Sequence, residues 1–259
     1  MNGVMKRLKT TSSWILAIVA IALISPAPAQ SQDTLPDLSG TWAQVQVTTG
    51  VSKLPVIGTV KSVTTALILL EIKQDGGKLT LEEKICDIRV TSDVERVKTI
   101  VPRKFTQAAS GQTRKGRVWM DTGQVRYMQE KHVVVLGAKL AKPSKDALPD
   151  DVDDSRVRDQ DRDGNPGMTV NVKGIVNGDI YLVQRGWNKL DGNMSGDRID
   201  GFVRWDSEQK VLDSTHVLLG DSPTSKTNNK RSENYFKNRR VASGMTCGTL
   251  RKQEKTVFK

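Results

Sequence analysis

The stretch DQDRDGNPG sets Asp159, Asp161 and Asp163 at alternate positions, with Gly164 directly after the last of them. Hard divalent cations take several oxygen ligands. A calcium loop supplies carboxylates from its first, third and fifth positions, turns on a glycine at the sixth and adds a backbone carbonyl at the seventh. Asp159, Asp161, Asp163, Gly164 and the carbonyl of Asn165 follow that order. The ninth and twelfth positions, which supply the late ligands of a high-affinity loop, are Gly167 and Val170. Pro166 opposes continuation into a helix. The stretch therefore reads as the front half of a calcium loop feeding a β-strand, with Asp153 and Asp154 the nearest candidates to complete it. An acidic, exposed turn without metal is the competing reading, but three carboxylates held at one turn repel one another unless a cation lies between them.

Catalytic signatures are sparse. His132 and His216 are the two histidines, and both sit among strand-forming residues, which suits packed or half-exposed side chains better than a base or zinc ligand. Glu82 and Glu83 are adjacent, so on a strand they face opposite ways and cannot act as a paired general acid and base. The chain shows no Gly-x-Ser-x-Gly elbow, His-Glu-x-x-His helix or phosphate-binding glycine loop. These absences point to binding rather than catalysis.

Lys6, Arg7 and Lys9 precede an eleven-residue apolar run from Trp14 to Ile24, and Ala27-Pro28-Ala29 follows. Residues 1–29 thus have the form of a secretory signal peptide, too short in its apolar part to span a bilayer. The expected product is periplasmic or secreted, without a transmembrane segment. In an oxidising compartment the two cysteines, Cys86 and Cys247, are expected to form a disulfide that ties an early strand to the C-terminal region and makes residues 30–259 a single domain. Charge is uneven: residues 226–259 hold ten basic and two acidic side chains. Such a tail could meet polyanions, although a solvated basic surface explains it as well, and it lacks the interleaved aromatics of a nucleic-acid platform.

The elements that must position these groups read as strands. LSGTWAQVQVTT, TTALILLEIKQ, KLTLEEKICDIRV, VKTIV, RVWMD, KHVVVLGAKL, MTVNVKGIV, DIYLVQRGW, RIDGFVRWD and KVLDSTHVLL are short, rich in β-branched residues and separated by QDGG, NGD and DGN turns. ALILLEI is apolar on both faces, as in a strand covered on each side. RSENYFKNRRVAS is the one segment with helical spacing, through Tyr235, Phe236, Arg239 and Arg240. The fold class is all-β and mainly antiparallel: a barrel of about 8–10 strands with a C-terminal tail or short helix, or alternatively a β-sandwich.

LSGTWAQVQV resembles the first strand of the lipocalin and calycin barrels, which open with Gly-x-Trp, here Gly40-Thr41-Trp42. A bridge from Cys86 to Cys247 is similar to the one with which many lipocalins fasten an early strand to the C-terminal tail. The segments LSGTWAQ, KICDIRV, DQDRDGNPGMTV and YLVQRGW together resemble uncharacterised secreted bacterial proteins carrying an Asp-x-Asp-x-Asp-Gly-x-Pro-Gly loop, a group without an established activity. The lipocalin resemblance implies that Trp42 faces inward, and alternation then places Gln44 and Gln46 beside it, lining a lumen for a ligand with polar groups.

The leading expectation is an exported, non-catalytic barrel that binds a small or amphipathic ligand and carries a structural calcium ion. The second is a calcium-dependent glycan-binding or adhesion sandwich in which exposed Trp187 or Trp205 stacks on sugar rings. An envelope hydrolase without a readable motif stands third.

Overall fold

A computed structural model describes residues 34–259 other than 55–57, 223 and 229; the signal peptide expected at 1–29 lies outside the described residues. The chain enters through Leu38 and forms three long strands in succession: β1 (Gly40–Leu54), β2 (Gly58–Asp75) and β3 (Lys78–Ser92). A short β4 (Val97–Ile100) and a six-residue helix α1 (Arg103–Ala108) follow, then the hairpin of β5 (Gln112–Asp121) and β6 (Gln124–Leu136). After a long loop come β7 (Met168–Gly174), β8 (Gly178–Ser195) and β9 (Arg198–Ser214). The chain ends with β10 (Thr224–Thr227), β11 (Tyr235–Arg240) and helix α2 (Cys247–Val257).

All pairings are antiparallel, and they close. β8, β6, β5, β3, β2, β1, β11 and β9 pair in that order, and β9 pairs back onto β8, which makes a ring of eight strands within one eleven-stranded sheet. One sheet with a closed path replaces the two-sheet sandwich held as the alternative. β7 and β4 branch from the lower part of β8, and β10 adds to the far end of β1 beyond β11. Closure leaves fewer unpaired backbone groups than an open sheet of this size would.

Two sequence readings change. The segment 231–243, expected to be helical, contains β11: Phe236 and Asn238 point into the ring at 0 % exposure, so the period that operates is two rather than 3.6. Pairing to β1 on one side and β9 on the other overrides the local spacing. KVLDSTHVLL is not a separate strand either, because its first half completes β9 and Val217–Leu219 make a 3-10 turn. His216 caps that turn, its Nδ1 accepting from Leu218 N at 3.2 Å, and so lies outside any strand. The basic region 226–259 is built into the fold as β10, β11 and α2.

Burial explains why the middle stretches of β1 (Trp42 to Val47) and β2 (Ala66 to Leu70) are apolar or neutral on both faces. Inside the ring, Trp42, Ile68, Leu70, Ile72, Leu79, Leu81, Val118, Tyr127, Leu190, Ile199, Val203 and Phe236 form one core drawn from every ring strand. Each large apolar side chain buried there contributes about 1.5–3 kcal/mol. Outside the ring, Ala43, Val45, Leu67 and Leu69 are covered by α2 through Leu250, Val257 and Phe258. A bulge at Leu67 and Ile68 leaves Cys86 unpaired in β3 and turns it outward, where it bonds to Cys247 at a Cα–Cα distance of 4.9 Å. The disulfide expected from the cysteine count is therefore present, at the first turn of α2. Phe105 and Ala109 of the α1 region pack with Leu136, Met168, Val170 and Leu182, and Ile85 belongs to both this cluster and the ring core.

Candidate functional site: the aspartate loop and the ring interior

The loop from 159 to 167 runs between the 137–158 connection and β7, and backbone chemistry fixes its shape. Gln160 spans two elements, accepting from Gly137 N at 2.8 Å and donating Nε2 to the Ala108 carbonyl at 3.1 Å. Arg162 adopts φ +57°, and its carbonyl receives Lys104 Nζ from α1 at 3.0 Å. Gly167 has φ +79°, and a Cβ there would meet the Leu182 carbonyl oxygen at 2.4 Å, so only glycine lets the loop pass β8.

Within this frame Asp159, Asp161 and Asp163 converge, each offering one oxygen within 4.8 Å of the others. Asp159 accepts the backbone N–H groups of Asp163 and Gly164 at 3.1 and 3.0 Å. Asp163 accepts Asn165 N at 2.9 Å. Asp161 is 5 % exposed; its Oδ2 accepts Thr169 N at 3.0 Å, and its Oδ1 is buried with no hydrogen-bond partner. Burial, with the neighbouring charges of Asp163 and Asp159, raises the Asp161 pKa although the Thr169 amide opposes the rise. Burial acts on Asp163 too, but the neighbouring Thr169 hydroxyl, the Asn165 amide and the charge of Lys104 outweigh it and hold that carboxyl below its ordinary value. An anionic Asp161 thus lacks one partner that a cation would supply.

Neither candidate for completing the loop serves. Asp154 is gripped by the Arg156 guanidinium, whose Nε lies 3.0 Å from Oδ1, and this contact with the Arg156 amide pulls its pKa down to about 2. Asp153 is exposed and stands outside the cluster of three.

The ring interior holds a second arrangement. Trp42, Gln44 and Gln46 share the inward face of β1 at 0, 0 and 6 % exposure. Gln44 Nε2 donates to Asn238 Oδ1 at 2.8 Å, Gln46 Nε2 to Gln44 Oε1 at 2.6 Å, and Asn188 Nδ2 to Gln46 Oε1 at 3.3 Å. Arg114 continues the chain: its guanidinium donates to Asn188 Oδ1, reaches Gln129 Oε1 at 3.3 Å and pairs with Glu83 at 3.1 Å. Gln129 in turn donates to the Tyr127 hydroxyl at 2.9 Å. Burial raises the pKa of Glu83 despite Arg114, and burial likewise raises that of Tyr127 despite its bond from Gln129. Arg114 Nε and Asn238 Nδ2 remain buried donors without partners.

Sequence reasoning placed Gln44 and Gln46 but missed Glu83, Arg114, Gln129, Asn188 and Asn238. Glu83 carried a usable signal, since alternation already separated it from Glu82. The structure confirms that split: Glu82 is exposed and receives Thr113 Oγ1 at 2.8 Å, while Glu83 faces inward.

The tryptophans proposed for sugar stacking are half-buried. Lys131 Nζ stands 4.2 Å from the Trp187 ring centre, and Trp205 packs against the ring core while donating Nε1 to Asn234 at 2.7 Å. Several cations of the C-terminal region are neutralised locally, Arg239 by Asp200 and Arg240 by Asp197. No helix among the described residues is long and apolar enough to cross a membrane.

Fold and site together define an all-β, antiparallel protein with an eight-stranded closed ring, an interior that joins an apolar core to a buried polar network, and an external aspartate cluster. No family model, curated protein or solved structure matches the chain.

Proposed function

We propose that this is an exported, non-catalytic binding protein of the cell envelope, lipocalin-like in plan, whose ring interior receives a small ligand and whose aspartate loop holds a structural calcium ion. The observation that carries the binding reading is the pair of buried donors, Arg114 Nε and Asn238 Nδ2, left without partners inside an otherwise connected polar network. A ring selected for stability alone is better filled with apolar side chains, because a buried ion pair seldom repays its desolvation. A ligand with acceptor oxygens would satisfy both donors. Native mass spectrometry of protein purified from its own envelope should show one retained small molecule; a uniformly bare mass overturns the ligand reading.

Calcium is supported by the unpartnered Asp161 Oδ1 among three carboxylates. With the late ligands missing, waters complete the shell and Kd is on the order of 10⁻⁴–10⁻³ M, as in extracellular modules. Calorimetry should find one such site, and Asp161→Asn with Asp163→Asn should remove it. A melting temperature indifferent to millimolar calcium and to chelator alike overturns this part.

A further inference from the structure

Outside the ring, on the side of β3 away from the polar interior, α1 and the first turn of α2 flank a groove of about 570 Å³. Most of its exposed surface is carbon, contributed by Ile85, the Cys86–Cys247 bridge and the stems of polar side chains such as Gln107 and Arg103. Three cations from three different elements surround it: Lys84 of β3, Arg103 of α1 and Arg251 of α2. All three are exposed, and none makes an ion pair among the described residues. Arg251 is held in place by donating Nη1 to the Cys86 carbonyl at 2.9 Å. No carboxylate lines the groove.

This combination is selective. An apolar trough alone accepts any alkyl chain, and exposed cations alone attract any polyanion. Cations converging on an apolar trough favour a molecule with one negative end and one apolar end, because each end finds its complement only when both are seated. The volume falls in the range of small-molecule sites rather than of macromolecular interfaces. Elsewhere on this face the cation Arg89 is already paired with Glu254, whereas Lys84, Arg103 and Arg251 keep their charge for a ligand in the groove.

We infer that the groove between α1, β3 and α2 binds a single-chain anionic amphiphile, its head group against Lys84, Arg103 and Arg251 and its chain along Ile85 and the disulfide. The site is separate from the ring interior and stands or falls independently of it.

The test uses the intact protein and dodecanoate below its critical micelle concentration, followed by calorimetry. Saturable binding of one dodecanoate is expected. Lys84→Glu with Arg103→Glu should weaken it at least tenfold, and the neutral pair Lys84→Gln with Arg103→Gln at least threefold, which covers the case of a charge-reversed chain that folds poorly. Lys98→Glu, an exposed cation on β4, should leave it unchanged. Dodecanol and dodecyltrimethylammonium should bind at least tenfold more weakly than dodecanoate. Equal binding of the neutral and anionic chains, or binding that survives every groove variant, overturns the assignment. So does saturation by an aspartate- and glutamate-rich peptide in place of dodecanoate, which would make the groove a peptide site.

Discussion

Asp161 is the residue on which the loop turns. Its folded-state pKa lies above the unfolded value, so without metal the native state binds the proton more tightly, and this group adds stability as pH falls through that folded-state pKa. At neutral pH the group is a net liability, which the proposed calcium ion would reverse. Asp161→Asn should therefore raise the melting temperature in chelator by a few degrees, given about 2–4 °C per kcal/mol for a domain of this size, and lower it relative to wild type in millimolar calcium. Melting curves of both proteins under both conditions check the crossover; parallel curves would remove the metal from the account. The loop glycines supply a second contrast. Gly164 has φ +93° with open space around its missing side chain, so Gly164→Ala should cost only the left-handed penalty of about 1–2 kcal/mol. Gly167→Ala adds a collision with the Leu182 carbonyl and should cost more than about 3 kcal/mol, measured by denaturant titration.

At the scale of elements, α2 is the lid of the outer core. Leu250 is fully buried against Ala43, Val45, Leu67 and Leu69, and the disulfide holds the helix's first turn to the bulge in β3. Leu250→Ala should cost about 2–5 kcal/mol, since the cavity opens beneath a helix with few other apolar contacts. The bridge joins residues 161 positions apart, so cross-linking the unfolded chain is worth about 5 kcal/mol in the loop-entropy picture, with measured values commonly lower. Reduction should lower the melting temperature and speed tryptic cleavage at Arg251, Lys252 and Lys255, with β1 to β9 cut later. Simultaneous cleavage throughout would show instead that the ring cannot stand without its helix.

For the molecule as a whole, the ring interior sets the terms. Glu83 and Arg114 are 8 and 3 % exposed and answer each other across β3 and β5. Removing one charge strands the other, so Glu83→Leu or Arg114→Met alone should cost about 3–5 kcal/mol, whereas the double replacement should be close to neutral. A double-mutant cycle from denaturant unfolding reads the coupling directly. Where native mass spectrometry finds the proposed ligand on the wild type, its loss from a stably folded double variant assigns the polar interior to recognition, and its retention places recognition outside that pair.

How much of this was legible beforehand follows from which interactions are local. Turn glycines, β-branched alternation and the two-sided apolar pattern of ALILLEI depend on neighbours in sequence, so the antiparallel all-β character and most strands could be read directly. The convergence of Asp159, Asp161 and Asp163 is set by a nine-residue loop, and a pair of cysteines has one possible partner each. What the sequence could not convey was non-local. Phe236 and Asn238 become strand residues because β1 and β9 lie on either side of them. Arg114 becomes a buried cation because Glu83, Gln129 and Asn188 arrive from three other strands. Asp154 is lost to the loop because Arg156 reaches it first. Local chemistry determined the strands, the bridge and the aspartate cluster; ring closure, which brings distant strands into register and buries their polar side chains together, decided everything about the interior.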